Sequence, residues 1–215
     1  YGASQLNRSV ALRQPGSVFK PFVFAAAFNS ALDGSLPVVT PVTVVDDSPT
    51  TFVYDGGTYQ PNNYRENFRG PVPVRYALAH SLNVATVKIG EMAGFEKVAR
   101  LARDAGLKTA RATPSVALGS YESSPLEMAG AYTIFANSGK RVEPFLIRMV
   151  RHQDGRVIED QKVREKPVLD PRVAHLMTRL LEGVIQSGTG AGVRARGFTA
   201  PAAGKTGTSH DGWFA

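Results

Sequence analysis

The sequence predicts a chain of the α+β class, and three observations predict it. The run from Ser17 to Ala31, dominated by Val, Phe and Ala with one early lysine, Lys20, reads as a buried helix. The stretch from Val38 to Pro73 is too dense in turn residues for a helix and reads as loop with short strands. Two later stretches, opened by Ser124-Pro125 and Asp170-Pro171, carry helix-start signals on either side of a strand ribbon turned by Asp154-Gly155.

In chain order, the first helix is expected to start after Pro15 with Gly16 as its N-cap and to stop at Asp33-Gly34. Pro21 lies where its missing N–H deprives the Ser17 carbonyl of a helical partner, so a distorted first turn is expected there. Val74 to Leu82 is helical in pattern, with Ser81 and Asn83 at or near its end, and a helix resumes over about Val84 to Met92. Phe95, Val98, Leu101, Ala102 and Ala105 recur at helical spacing and Gly106 closes that helix. Ser124 with Glu127 forms a capping box for a helix running to Asn137 and stopped by Gly139. Phe145 to Arg151 and Arg156 to Asp160 are the two strands of the Asp-Gly ribbon. The Asp170-Pro171 helix aligns Val173, Leu176, Met177, Leu180, Leu181 and Val184 on one face and ends before Gly188. Gly183 to Gly207, rich in Gly, Ala and Thr, is expected to be a mobile approach loop, and Ala200 to Ala203 to lead into an edge strand bearing Lys205 to Thr208.

Composition bounds the function. The 215 residues, 43% of them hydrophobic, can bury the core of one domain or most of a larger one. There is no apolar run of about 18 residues and no signal-peptide pattern, so a membrane anchor or export signal is expected upstream of this stretch. The formal charge of +7 favours acidic surfaces in general, but the basic residues are scattered and no aromatic-interleaved stripe marks a nucleic-acid site. The absence of cysteine removes disulfides, thiolate metal sites and thiol nucleophiles. The four histidines, His80, His152, His175 and His210, lack helical metal-site spacing; no metal and no cofactor are expected.

Three polar clusters carry the chemistry: Ser17-Val18-Phe19-Lys20, Ser81-Leu82-Asn83 and Lys205-Thr206-Gly207-Thr208. A serine hydroxyl is a weak nucleophile at neutral pH and needs a base within reach, which a lysine about one helical turn away supplies once deprotonated. Each cluster alone also fits ordinary structure: Lys20 snorkelling from an apolar helix, Ser81 and Asn83 as caps, and residues 205–208 as a surface turn. Glu122, Glu127, Asp46 and Asp47 read as capping or solvated carboxylates.

The ordered set Ser-X-X-Lys, Ser-X-Asn and Lys-Thr-Gly resembles the signature of penicillin-binding proteins and serine β-lactamases. The fuller pattern is similar to the transpeptidase domain of the class A, bifunctional penicillin-binding proteins. It includes Tyr1-Gly2-Ala3-Ser4-Gln5-Leu6-Asn7-Arg8, Arg13-Gln14-Pro15-Gly16, Arg75-Tyr76-Ala77-Leu78, Pro114 to Gly119, Pro125 to Ala129 and Phe135 to Gly139. The resemblance covers nearly the whole chain and implies one partial transpeptidase domain over residues 1–215. It implies an antiparallel sheet with helices on both faces, an all-helical lobe, and the nucleophile helix between them. Strands on both sides of this stretch complete the sheet in the family, so an unfinished sheet with exposed apolar surface is expected.

The resemblance implies that Ser17 attacks the carbonyl between the two terminal D-alanines of a peptidoglycan stem peptide, and that β-lactam antibiotics acylate the same serine. It assigns Lys20 as the base, with its pKa lowered by burial and by Lys205, Ser81 as the proton relay and Asn83 as a holder of substrate backbone. Lys205, Thr206 and Thr208 would bind the substrate carboxylate, and Gly207 would allow its close approach. The N–H groups of Ser17 and Thr208 would form the oxyanion hole, worth about 3 to 4 kcal/mol per donor in comparable sites. The implied setting is extracytoplasmic in a bacterium, with a glycosyltransferase domain and the membrane anchor upstream. Two rivals share the chemistry of acylation. A serine β-lactamase would need a deacylation device, and no Glu-X-X-Leu-Asn is present; a non-enzymatic β-lactam sensor or wall-binding module would keep the pocket without turnover.

Overall fold

The structure is a computed structural model that describes residues 5–215, so the Tyr1 to Ser4 part of the family-like approach segment lies outside the described residues. The apolar run does not form a single helix capped by Gly16. Gly16–Phe19 form a 3-10 turn with Pro15 at the cap position, followed by α1 (Lys20–Phe28) and α2 (Ser30–Asp33). Pro21 is the reason. Having no N–H to offer the Ser17 carbonyl, it leaves that carbonyl to accept from the Lys20 N–H in the tighter 3-10 register. The distorted first turn expected from Pro21 is therefore present, and Gly34 ends α2 with φ of 73°.

Every residue of α1 is buried, so the helix runs through the middle of the core and is packed on all sides. Around it lie α3 (Val74–Ala79), α4 (Asn83–Ala93), α5 (Phe95–Ala105), α6 (Pro125–Ala136) and α7 (Pro171–Gln186). Phe22 of α1 meets Tyr132 and Phe135 of α6 with ring centroids 5.7 and 5.4 Å apart. The predicted ends hold where their signals are local. Ser124 and Glu127 make both bonds of a capping box, Gly106 closes α5 with φ of 110°, and Asp170 caps α7 through the Arg172 N–H.

The strands form five antiparallel pairs: β1 (Val44–Asp47) with β4 (Gly70–Pro73), β2 (Phe52–Tyr54) with β3 (Gly57–Tyr59), β5 (Lys140–Val142) with β8 (Glu165–Pro167), β6 (Met149–Arg151) with β7 (Val157–Asp160), and β9 (Thr206–Thr208) with β10 (Gly212–Phe214). Among the described residues no sheet exceeds two strands, narrower than the sheet the resemblance implies. Residues 183–207 are more ordered than a mobile loop: they contain α8 (Gly192–Ala195), and the Thr189 N–H donates to the Ala79 carbonyl at 3.0 Å.

Candidate active site

The turn that carries Ser17 is fixed from three directions. The Gly16 N–H donates to the Gly119 carbonyl at 3.2 Å, the Tyr132 hydroxyl donates to the Val18 carbonyl at 2.6 Å, and the Ser209 hydroxyl donates to the Gln14 carbonyl at 2.9 Å. Gly16 takes φ of +55° and Gly119 φ of +68°, where a Cβ on Gly119 would sit 2.2 Å from the Gly16 carbonyl oxygen. Gly207 also serves the packing of the chain itself. A Cβ there would lie 2.9 Å from the Pro15 carbonyl oxygen and 3.0 Å from the Val18 nitrogen. The missing side chain therefore lets the Ser17 turn pack closely against β9.

Lys20 opens α1 and is wholly buried. Its Nζ donates to the Ser81 carbonyl at 2.6 Å, the Ser81 hydroxyl at 3.2 Å and the Asn83 Oδ1 at 2.6 Å. Burial, and then the positive charge of Lys205, pull its pKa well below the usual lysine range, against a smaller opposing effect of Asp47. The Ser17 hydroxyl has no side-chain hydrogen bond among the described residues, so the expected contact of Lys20 with the nucleophile is replaced by contacts to Ser81 and Asn83. Ser81 adopts φ of 57°, which ends the α3 segment and turns both its carbonyl and its hydroxyl onto Lys20.

Asn83 is the first residue of α4, whose N-cap is Leu82, a side chain with no acceptor. The cap comes from elsewhere. Asn63 Oδ1 accepts from the N–H groups of Asn83 at 2.8 Å and Val84 at 3.1 Å, and Asp47 Oδ1 accepts from Ala85 N–H at 3.1 Å. Asp47 Oδ2 in turn accepts from Asn63 Nδ2 at 2.7 Å and the Arg69 N–H at 3.1 Å. The Asn83 amide is engaged at both ends, its Nδ2 donating to the Asn62 carbonyl at 2.8 Å, which leaves one N–H and one lone pair for any substrate backbone.

Asp46 and Asp47 divide the reading of a capping or solvated carboxylate between them: Asp46 is the solvated one and Asp47 the capping one. Asp46 is paired with Lys88 at 3.2 Å, whereas Asp47 is fully buried. The signal was the alternation of β1, which puts Asp47 on the same inner face as Val45. Asn63 was hidden in what reads as a turn.

Lys205 is also wholly buried, and burial lowers its pKa to about 8. Its Nζ donates to the Thr206 carbonyl at 3.0 Å. Lys205 and Ala215 exchange both backbone hydrogen bonds, so alternation along the ladder turns the N–H groups of Thr206 and Thr208 away from β10. The Thr208 carbonyl, on that same outer edge, lies 3.0 Å from where a Cβ on Gly16 would be, which sets Thr208 beside the Ser17 turn. The Thr206 hydroxyl shares a hydrogen bond of 2.6 Å with that of Thr189. Among the described residues no cluster of His, Asp or Glu has the makings of a metal site.

The structure thus joins Lys20, Ser81 and Asn83 directly, brings Lys205 near enough to act on Lys20, and sets Gly207 and Thr208 against Ser17. Residues 5–212 match the family model described as the penicillin-binding protein transpeptidase domain. The chain is 37% identical to penicillin-binding protein 1A of Aquifex aeolicus, with all of this chain and 29% of that protein covered. It is 34% identical to penicillin-binding protein 1A of Neisseria meningitidis, again with all of this chain and 28% of the relative covered. It therefore spans less than a third of the length of these relatives. Among solved structures, penicillin-binding protein 1A from Haemophilus influenzae superposes with a TM-score of 0.88 at 25% identity, covering 100% of this chain and 38% of that one. The imipenem acyl-enzyme of penicillin-binding protein A from M. tuberculosis shares the fold, with a TM-score of 0.81 at 23% identity over 97% of this chain and 53% of that one. Ordered motifs, a shared α+β fold and a match running nearly end to end agree: the chain belongs to the penicillin-binding protein transpeptidase domain family.

Proposed function

We propose that the protein is a serine D,D-transpeptidase that cross-links peptidoglycan stem peptides through an acyl-enzyme on Ser17 and is acylated there by β-lactams. The observation that carries this reading is the buried Lys20, its pKa depressed, held on Ser81 and Asn83 at the end of the turn that presents Ser17. Once deprotonated, Lys20 keeps its two N–H groups on the Ser81 carbonyl and Asn83 Oδ1, and its lone pair accepts the Ser17 proton as Oγ attacks the carbonyl carbon of the penultimate D-alanine. The N–H groups of Ser17 and Thr208 stabilise the oxyanion. Ser81, hydrogen-bonded to Lys20, passes the proton to the leaving amine as the C–N bond breaks and D-alanine departs. An acceptor amine then attacks the ester, returns the proton and frees Ser17. Lys205, Thr206 and Thr208 take the substrate carboxylate, and the remaining N–H of Asn83 takes its backbone. In this reading the domain works on the extracytoplasmic face of a bacterial membrane, with an anchor and a glycosyltransferase unit elsewhere in the protein.

The test is intact mass after mixing the protein with benzylpenicillin, followed over hours, with Ser17→Ala as control. A single adduct that persists and is absent from Ser17→Ala supports the reading. Rapid loss of adduct with drug hydrolysis replaces it with a β-lactamase, and no adduct on a cooperatively folded sample overturns it.

A further inference from the structure

The Ser81–Asn83 turn carries two of the three clustered side chains; the Ser81 and Leu82 N–H groups tie its first half to the Leu78 and Ala77 carbonyls, but no side chain within the turn caps α4. Leu82 occupies the N-cap of α4 without an acceptor, and Ser81 sits at a positive φ of 57°. The first three N–H groups of α4 are satisfied only by Asn63 and Asp47, from chain that precedes the helix. Asp47 is the hub. Its two oxygens accept from Ala85, Asn63 and Arg69, and that bond fixes Asn63 Nδ2 as donor and so Asn63 Oδ1 as the acceptor facing Asn83 and Val84. A carboxylate is the one side chain of this size that presents acceptors only. An asparagine amide in its place, in either orientation, sets an NH2 against an N–H donor.

Resting on the acyltransferase reading above, we propose that Asp47 is a positioning residue. Acting through Asn63, it holds the start of α4 so that Ser81 and Asn83 stay on Lys20. Buried negative charge at the helix N-terminus, where the aligned peptide dipoles favour it, keeps the arrangement stable. The same carboxylate acts on Lys20 electrostatically. The charged groups that bear on the Lys20 ammonium are Lys205, just ahead of β9, which opposes its protonation, and Asp47 of β1, which favours it. Asp46, the neighbour of Asp47, is neutralised outward by Lys88.

The experiment measures the rate of Ser17 acylation by a fluorescent penicillin against pH for wild type, Asp47→Asn and Asn63→Ala, each checked for a cooperative melt. Asp47→Asn is expected to slow acylation by about 100-fold, the scale of a reacting group misplaced by about 1 Å. It should also move the acidic limb of the pH profile to lower pH, because the charge that raised the Lys20 pKa is gone. Asn63→Ala breaks the relay but keeps the carboxylate, so it should slow acylation with the limb in place. That variant carries the test if Asp47→Asn does not melt cooperatively. Acylation at the wild-type rate in either folded variant, or an unmoved acidic limb in Asp47→Asn, overturns the inference while leaving the acyltransferase reading intact. A folded wild type that forms no Ser17 adduct overturns both.

Discussion

Two buried lysines share one site, and this sets how the fold responds to alkali. Burial brings Lys205 from its ordinary 10.5 down to about 8, and Lys20 is lowered by burial and by the Lys205 charge. In the unfolded chain both return to the ordinary range. Between about 8 and 10.5 the unfolded chain therefore binds more protons at Lys205 than the folded one, so stability rises with pH across that window. The urea denaturation midpoint of the protein should climb from the lower to the upper end of it, and Lys205→Met should flatten that climb. A midpoint that falls through the window in wild type, with no difference in Lys205→Met, would mean the two lysines are solvated. The residue types were legible in the sequence because the order of the three clusters is specific. Their contacts were not, since a spacing of three residues says nothing about whether Lys20 turns to Ser17 or, as here, to Ser81 and Asn83.

At the scale of elements, what could be read ahead of the structure followed how local each signal is. The start of α6 is fully written in Ser124, Pro125 and Glu127, and the structure shows that capping box. The start of α4 is written nowhere near it, because its acceptors sit on Asp47 and Asn63. The packing of Pro15 and Val18 against Gly207 is likewise written nowhere near that glycine. The nucleophile turn depends on this kind of remote packing. Gly119→Ala would force a Cβ to within 2.2 Å of the Gly16 carbonyl oxygen, so the Ser17 turn must shift, and acylation should drop by about 100-fold. Gly155→Ala, at φ of +87° in the β6–β7 hairpin with nothing within 4 Å, is the matched control. It should lose about 1 kcal/mol of stability from the left-handed backbone and acylate at the wild-type rate. Equal acylation by the two variants would show that the Gly16–Gly119 contact does not position the serine.

At the scale of the whole molecule, helices close around α1 while the β9–β10 ribbon packs one side against the Ser17 turn. β10 pairs only with β9 among the described residues, and Phe214 is 60% exposed. Beside it Ile185, Val193, Phe198 and Ala202 line an apolar depression of about 380 Å³. This apolar surface adjoins the β9–β10 pair that follows Lys205.

The bond from Ser209 to the Gln14 carbonyl ties chain separated by 195 positions, and it braces the turn that carries the nucleophile. Contacts between such distant stretches are closed at high entropic cost and depend on the rest of the fold being in place. If Ser17 is acylated as proposed, penicillin labelling becomes a sensor of completed folding. During refolding or synthesis on the ribosome, reactivity should arrive only after residues 205–209 have docked, later than the bulk of the helical signal.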